Sequence, residues 1–305
     1  MKKIIIGARG SKLSLAYANR VKKLILKKNS HLSDAMIEIS PITTSGDIFH
    51  DKKLSEIGGK NLFCKEIEEA LLQNKIDIAI HSLKDMASEE IESLHIGAYI
   101  ERNDPREALV SLKFNNIKQL DAAIIGSSSR RRNLQLQLIN KNILVKNIRG
   151  NIDTRIQKLK DGEFDGIILA LAGLKSLELE QHAKQIFSTS EMLPAVGQGI
   201  IAAQCKKENK EITEILKAVD HHETRVCAIA ERNLLKVLGG DCDTAVGGFA
   251  RLEGQYIILS SQLFSDSGSE AFYHEVKGKI EDAESIGYTV ATELLKKAGN
   301  HFKKN

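Results

Sequence analysis

Tryptophan is absent from the 305-residue sequence, and aromatic residues make up only 5% of it. A nucleic-acid groove that binds by stacking needs aromatic platforms beside its cations. That reading starts weak, and a net charge of +4, from 44 basic against 40 acidic residues, adds little to it. Long apolar runs are missing too. The stretch 167–172 is among the longest, far short of the roughly 20 residues a membrane-spanning helix needs. The first residues look signal-like, with two lysines before three isoleucines, but Arg9 and Lys12 follow at once. They read as a first β-strand, and the cytoplasm is the default compartment. Cysteine is scarce and dispersed (Cys64, Cys205, Cys227, Cys242), with no C-x-x-C pair and no Cys/His cluster. A disulfide framework and a structural zinc site are therefore not expected. His221 and His222 are adjacent, but no H-E-x-x-H occurs, so metal catalysis has little support.

What is present is ordinary for a soluble globular chain, 42% hydrophobic and 28% charged, and long enough for two or three domains. The first half alternates strand and helix signals. KKIIIG ends in glycine before an amphipathic stretch at 13–28; AMIEISPI alternates and stops at Pro41; 61–73 returns to helical spacing; IDIAIHS is a buried strand. The pattern then restarts with AAIIGSS, a helix at 131–140, ILVKNIRG, a helix at 153–160 and FDGIILALAG. Two such βα series predict two related α/β domains with mostly parallel sheets and a cleft between them. The polar ERNDPRE, containing Pro105, and LPAVGQG are the expected crossings. Domain 1 then covers 1–100 with 197–218, and domain 2 covers 101–196. The last part, 219–305, carries a helix, a GGDCD turn, three strand-like runs and a final helix, and forms a small α+β domain.

The chemistry-bearing residues gather where strands end. After AAIIG comes SSSRRRN, with Ser129, Arg131 and Arg132 before a helix; NIRGNIDTR adds Arg149 and Arg155; IIIGARGS puts Arg9 and Ser11 at the end of the first strand. Backbone N–H groups at a helix N-terminus favour anions, and guanidinium forks match carboxylates. In open α/β sheets, ligands lie outside the carboxyl ends of the strands. A single arginine is as often a solvated surface charge, but the set points to a small ligand with several carboxylates or phosphates. HSLKD places Lys84 and Asp85 at another strand end. Beside cations an aspartate stays ionised and can steady a developing positive charge or pass a proton, although a plain Lys–Asp pair fits the same residues. His81 reads as a core histidine needing only a hydrogen-bond partner. Cys242 lies in a tight glycine turn between Asp241 and Asp243, which raise a thiol pKa and argue against a free nucleophile. A single permanent attachment remains open to it. IGGKNLF, with Lys60 and Phe63, reads as a loop over the site or an ordinary surface loop.

These segments in this order resemble the hydroxymethylbilane synthase (porphobilinogen deaminase) family. The matching stretches are IGARGS, TSGD at 44–47, IGGKNLF, IAIHSLKD, ERNDPREALV, GSSSRRR, IRGNIDTR, DGEFDGIILALAGLK, LPAVGQG, HHETR and LGGDC, spanning about residues 4 to 247. The resemblance implies two periplasmic-binding-protein-like domains and a third domain. It further implies a dipyrromethane cofactor joined to Cys242 by a thioether, and head-to-tail addition of four porphobilinogens with loss of ammonia before a linear tetrapyrrole is released by hydrolysis. Asp85 matches the carboxylate that handles pyrrole N–H groups and the cationic intermediate. Lys84, Ser129, Arg131 and Arg132 are implied for the cofactor; Arg9, Ser11, Lys60, Phe63, Arg149, Arg155 and Gln198 for substrate. A monomer without nucleic-acid or membrane partners is expected. Some positions depart from the family pattern: Glu56 and Ser176 replace cations, Arg130 an apolar residue, Asp241 a glycine, Ala245 a proline, and Met86-Ala87 a Val-Pro pair. Arg130 is a candidate to offset the missing cations. The competing reading is a non-catalytic, two-lobed binding protein for a small polyanion, which needs neither Cys242 nor the third domain.

Overall fold

The computed structural model describes residues 3–48, 62–240 and 244–303. The first βα series forms β1 (Ile4–Arg9), α1 (Lys12–Lys28), β2 (Ile37–Ile42), the short α2 (Ser45–Ile48), α3 (Lys65–Leu72), β3 (Ile78–Ser82) and β4 (Leu94–Tyr99). The second forms β5 (Glu107–Val110), β6 (Ile124–Gly126), α4 (Arg130–Ile139), β7 (Leu144–Lys146), α5 (Ile152–Lys160), β8 (Gly166–Ala170), α6 (Leu171–Ser176) and β9 (Ala183–Ile186). The chain continues through β10 (Ile201–Lys206), α7 (Lys210–Lys217) and α8 (His222–Leu238). It ends with β11 (Val246–Glu253), β12 (Tyr256–Phe264), β13 (Ala271–Lys279) and α9 (Ala283–Ala298). By compactness it divides into two units, 1–103 with 200–228, and 104–199 with 229–305. The division passes between the two units at 103/104, 199/200 and 228/229, the last within α8.

In the first unit the sheet order is β2-β1-β3-β10-β4. β1 pairs in parallel with β2 and β3, while β10, arriving from residue 200 onward, runs antiparallel to both β3 and β4. Alternation along each strand loads both faces. Ile4, Ile6, Ile78 and Ile80 pack with Val21 and Ile25 of α1 and Ile212 and Leu216 of α7. Ala79 and Leu94 pack on the other face with Ile67 and Leu71 of α3. Each fully buried Ile or Leu contributes about 1.5–3 kcal/mol of transfer free energy. α1 starts because Ser11 caps it and closes with Lys27 and Lys28 against the negative end of its dipole.

The second unit repeats this plan in the order β7-β6-β8-β5-β9, with β5 as the antiparallel strand. Ala108, Val110, Ile167 and Leu169 face α5, and Leu109, Ile125 and Ile168 face Leu136 of α4. The same unit carries the C-terminal meander β11-β12-β13, on which α9 packs. The α/β class expected from the sequence is what the sheets show. One helix is shorter than expected. The segment read as helical from residue 61 starts at Lys65 behind Cys64, which makes no side-chain cap, and Phe63 lies in the preceding turn.

Candidate active site

In the first unit, β1 delivers Arg9 at its carboxyl end, where the Asp47 carboxylate and the Phe63 ring hold the guanidinium. Its Nη2 lies 2.5 Å from Asp47 Oδ1, its Nε 3.4 Å from Oδ2, and its Cζ 4.1 Å from the centre of the Phe63 ring. A cation over a ring face gains about 0.5–2 kcal/mol, more when desolvated. Asp47 is fixed in turn by the Thr44 N–H at 3.3 Å and hydroxyl at 2.8 Å. Burial opposes its charge, but hydrogen bonds from Arg9 and Thr44 outweigh burial and hold its pKa below the ordinary carboxylate value. Gly46 has no room for a Cβ against Phe63, so glycine is required for the ring to reach Arg9. Ser11 accepts from the Ser14 N–H at 3.3 Å as the cap of α1.

On the neighbouring strand of the sheet, β3 runs into a single 3₁₀ turn, Leu83–Asp85. The turn is pinned by the Leu83 N–H on the Ile200 carbonyl, by the Met86 N–H on the Leu83 carbonyl, and by the Cys64 thiol on the Asp85 carbonyl at 3.5 Å. Lys84 and Asp85 are both half-buried. Among the described residues, no side chain hydrogen-bonds the Asp85 carboxylate, so its backbone is held while its acid end is available. His81 is buried and bonds Gln204 Oε1 at 3.2 Å, and Gln204 donates to Glu68 at 3.0 Å. Burial pushes its pKa down to about 4 against the opposing hydrogen bond, so it is a neutral core residue.

In the second unit Ser129 caps α4, accepting from the Arg132 N–H at 3.4 Å. Arg131 and Arg132 occupy the first turn and are buried, at 4% and 7% exposure. Both turn inward onto the fully buried Glu107 at the head of β5. Arg131 Nη2 is 2.6 Å from Oε1; Arg132 Nε is 3.0 Å from Oε1 and its Nη2 2.8 Å from Oε2. Arg131 also donates to the Leu193 carbonyl at 2.6 Å and to Gln135 at 3.3 Å, and Arg132 to the Ile168 carbonyl at 3.2 Å. Burial pushes the Arg131 pKa down and its neighbour Arg132 adds to this, while Glu107 pulls it back up. On the adjacent strand end, Gly150 at φ +111° lets the chain turn into α5. Its carbonyl accepts from Arg155 Nε at 2.8 Å. Arg149 and Arg155 are half-buried, and the Ser128 hydroxyl bonded to the Ile148 carbonyl joins the two strand ends.

Each unit therefore gathers its own share of the expected residues at one sheet edge. Gln198 is buried, and its amide donates to the Pro105 carbonyl at 2.7 Å, tying the two crossing segments together. Arg130 is exposed and donates to the Asp266 carbonyl in the β12–β13 turn, a protein partner rather than an open position for a ligand. Cys242 and Lys60, with Glu56 and Asp241, lie outside the described residues. Sequence reasoning missed Asp47, Glu107 and Gln135. Asp47 sits inside the TSGD segment, and Glu107 heads an apolar strand, an unusual place for an acid; Gln135 carries no such signal.

A dipyrromethane with acetate and propionate arms needs several carboxylate acceptor sites. The donor set fits: two buried guanidinia share one protein carboxylate at a helix N-terminus, with Arg149 and Arg155 at the neighbouring strand end. Fold and strand-end chemistry together define an α/β protein built to hold a small polycarboxylate, with an available acid in one of its units.

Comparison with known proteins makes this specific. The profile described as "Porphobilinogen deaminase, dipyromethane cofactor binding domain" matches residues 4–214, and "Porphobilinogen deaminase, C-terminal domain" matches residues 225–296. Relatives named porphobilinogen deaminase include that of Chromobacterium violaceum, 39% identical over 97% of this chain and 95% of its own length. That of Alkaliphilus metalliredigens is 38% identical over 99% and 95%, respectively. The chain belongs to the porphobilinogen deaminase family. Among solved structures, the Bordetella pertussis BvgS VFT2 domain has a TM-score of 0.43 at 14% identity, covering 72% of this chain and 85% of that one.

Proposed function

We propose that this chain is a hydroxymethylbilane synthase, a transferase that condenses four porphobilinogens head to tail and releases the linear tetrapyrrole by hydrolysis. The observation that carries this reading is the match along almost the whole chain, including the cofactor-binding part over 4–214. It favours catalysis over a two-lobed binding protein, which has no use for residues 225–296. In each condensation the C–N bond of the substrate's aminomethyl group breaks and ammonia leaves. A C–C bond forms to a pyrrole α-carbon, and that carbon loses its proton. When bound, the dipyrromethane supplies the first such α-carbon.

The chain's own residues have separable tasks in this scheme. Asp85 holds the pyrrole N–H and steadies positive charge on the substrate methylene as ammonia departs, a role supported by its fixed backbone and available carboxylate. Lys84, Ser129, Arg131 and Arg132 hold cofactor carboxylates. Arg9, Ser11, Arg149 and Arg155 take those of the substrate, with Lys60, Phe63 and Gln198 supporting them and Cys242 as the thioether attachment. Arg9 suits this because Asp47 and Phe63 fix its guanidinium before any ligand arrives. We place the division of labour in three parts, 1–100 with 197–218, 101–196 and 219–305, and take the protein to be a cytoplasmic monomer without nucleic-acid partners. No described helix is long and apolar enough to cross a membrane.

The test is intact mass together with turnover. The purified chain should carry the added mass of two pyrrole units, lost in Cys242→Ser, and should consume porphobilinogen with tetrapyrrole release. An unmodified, inactive chain produced with adequate cofactor supply would leave the binding protein as the better reading.

A further inference from the structure

The buried cluster at the start of α4 has an unusual charge balance. Arg131 and Arg132, with side-chain exposures of 5% and 9%, face one carboxylate, that of Glu107, which is fully buried. Both cations lie in the first turn of a ten-residue helix that has no acid there. That is the end where the helix dipole already disfavours positive charge. Burial of an imperfectly balanced set is costly and is not a route to stability. Each guanidinium offers five N–H donors. Three hydrogen bonds from Arg131 and two from Arg132 go to Glu107, Gln135 or the carbonyls of Leu193 and Ile168. Arg132 Nη2 also lies at ion-pair distance from Glu107 Oε2, and the remaining N–H groups have no partner among the described residues.

We propose that Glu107 is a positioning residue: by bridging Arg131 and Arg132 it fixes two guanidinia and cancels one of their charges, leaving the pair shaped and charged for a single ligand carboxylate. The assignment deepens the proposed function and rests on it, because the ligand carboxylate is taken to be the cofactor's. Geometry supports the bridge. Glu107 Oε1 sits between Arg131 Nη2 at 2.6 Å and Arg132 Nε at 3.0 Å, so one oxygen bridges the two guanidinia. Glu107 heads β5, the antiparallel strand of its sheet, and its main chain is locked by the Phe187 N–H on its carbonyl at 3.0 Å. Its carboxylate therefore does not drift with the helix. Gln135 extends the arrangement, accepting from Arg131 and donating to Gln262 of β12 at 3.0 Å, so the C-terminal sheet backs the same guanidinium.

The experiment compares the full wild-type chain with Glu107→Gln and Glu107→Asp. It measures cofactor occupancy of the folded fraction by intact mass, KM and kcat for porphobilinogen on the loaded fraction, and the thermal melt. Losing a bridging charge-assisted hydrogen bond should lower occupancy in Glu107→Gln about tenfold while the melt stays cooperative. Glu107→Asp keeps the charge but is one methylene too short to span both forks, and should fall between. A merely structural role lowers the melting temperature and leaves the mass of the folded fraction unchanged. Wild-type occupancy and KM in folded Glu107→Gln overturn the proposal. If Glu107→Gln does not fold, reduced occupancy in Glu107→Asp supports it and wild-type occupancy there overturns it. A wild-type chain without added mass counts instead against the function itself.

Discussion

The two five-stranded units are the same machine part used twice, and they differ where we propose the chemistry lies. In both, the first strand runs straight into a helix capped by serine, Ser11 in one and Ser129 in the other. In both, an aspartate ahead of the third strand closes the same two-bond bracket on the first strand: Asp77 with Ile5, and Asp165 with Ile124. In both, the fourth position is filled by an antiparallel strand at a crossing, β10 or β5. The units part ways beyond the third strand. β3 ends in a 3₁₀ turn that presents Lys84 and Asp85, whereas β8 continues into α6, whose first residues are the buried Leu171 and Ala172. The cations differ too. Arg9 is half-buried and clamped from outside by Asp47 and Phe63, while Arg131 and Arg132 are sunk into their unit around Glu107. Shared residues close the sheet; unshared ones handle charge.

The largest test of that contrast is Asp85→Ala. If the third-strand turn of the first unit carries the acid, turnover should drop about 10²–10⁴-fold with the thermal melt preserved, since the backbone contacts of the turn survive the change. Asp85→Glu should keep a little activity. Substantial turnover in a folded Asp85→Ala would mean the two units do not divide the chemistry as described.

Much of this layout could be read from residue order alone. Strand runs ending in Gly, Ser and Arg marked the carboxyl edges, and the repeat of the βα series marked the two units, because burial on both faces forces near-continuous apolar strands. His81 was legible as a core residue, and Gln204 supplies the partner it needs. Side-chain direction was not legible. Arg130, Arg131 and Arg132 are consecutive, yet helical geometry sends one to the surface and two inward. Their partner Glu107 is 24 and 25 residues away across the sheet. Phe63 read as one face of a helix; its ring instead packs on Gly46 and Arg9, a tertiary contact that no local periodicity encodes. Asp47 lay inside the TSGD segment, but its bond to Arg9 depends on β1 and β2 being adjacent and parallel, which the sheet order establishes.

A smaller effect separates the units by pH. Asp104, in the first crossing, accepts from Arg106 at 2.9 and 2.7 Å and lies 3.1 Å from Lys175 Nζ. The Arg106 hydrogen bonds, outweighing burial, bring its pKa down to about 2. Because the folded value is depressed, its contribution is present above the unfolded pKa, near 4. It is lost as pH falls from there towards about 2. Solvent screens this pair, so the amount is under about 1 kcal/mol. Acid melts should show Asp104→Asn lacking that part of the decline, and an unchanged acid limb would remove Asp104 as the brace of this crossing.

The smallest expected effect concerns Arg130, the cation that the sequence offered as compensation for those replaced by Glu56 and Ser176. Its guanidinium is bonded to the Asp266 carbonyl, and Asp266 also receives the Lys303 N–H at 3.0 Å on its carboxylate. An exposed bond of this kind contributes about 0.5–1 kcal/mol to holding α4 against the C-terminal sheet. Arg130→Leu should therefore shift the melt slightly and leave porphobilinogen affinity within about twofold, under half a kcal/mol. A clear loss of affinity would return Arg130 to the ligand side of the second unit. It would then join Arg131, Arg132, Arg149 and Arg155 among the cations of that edge.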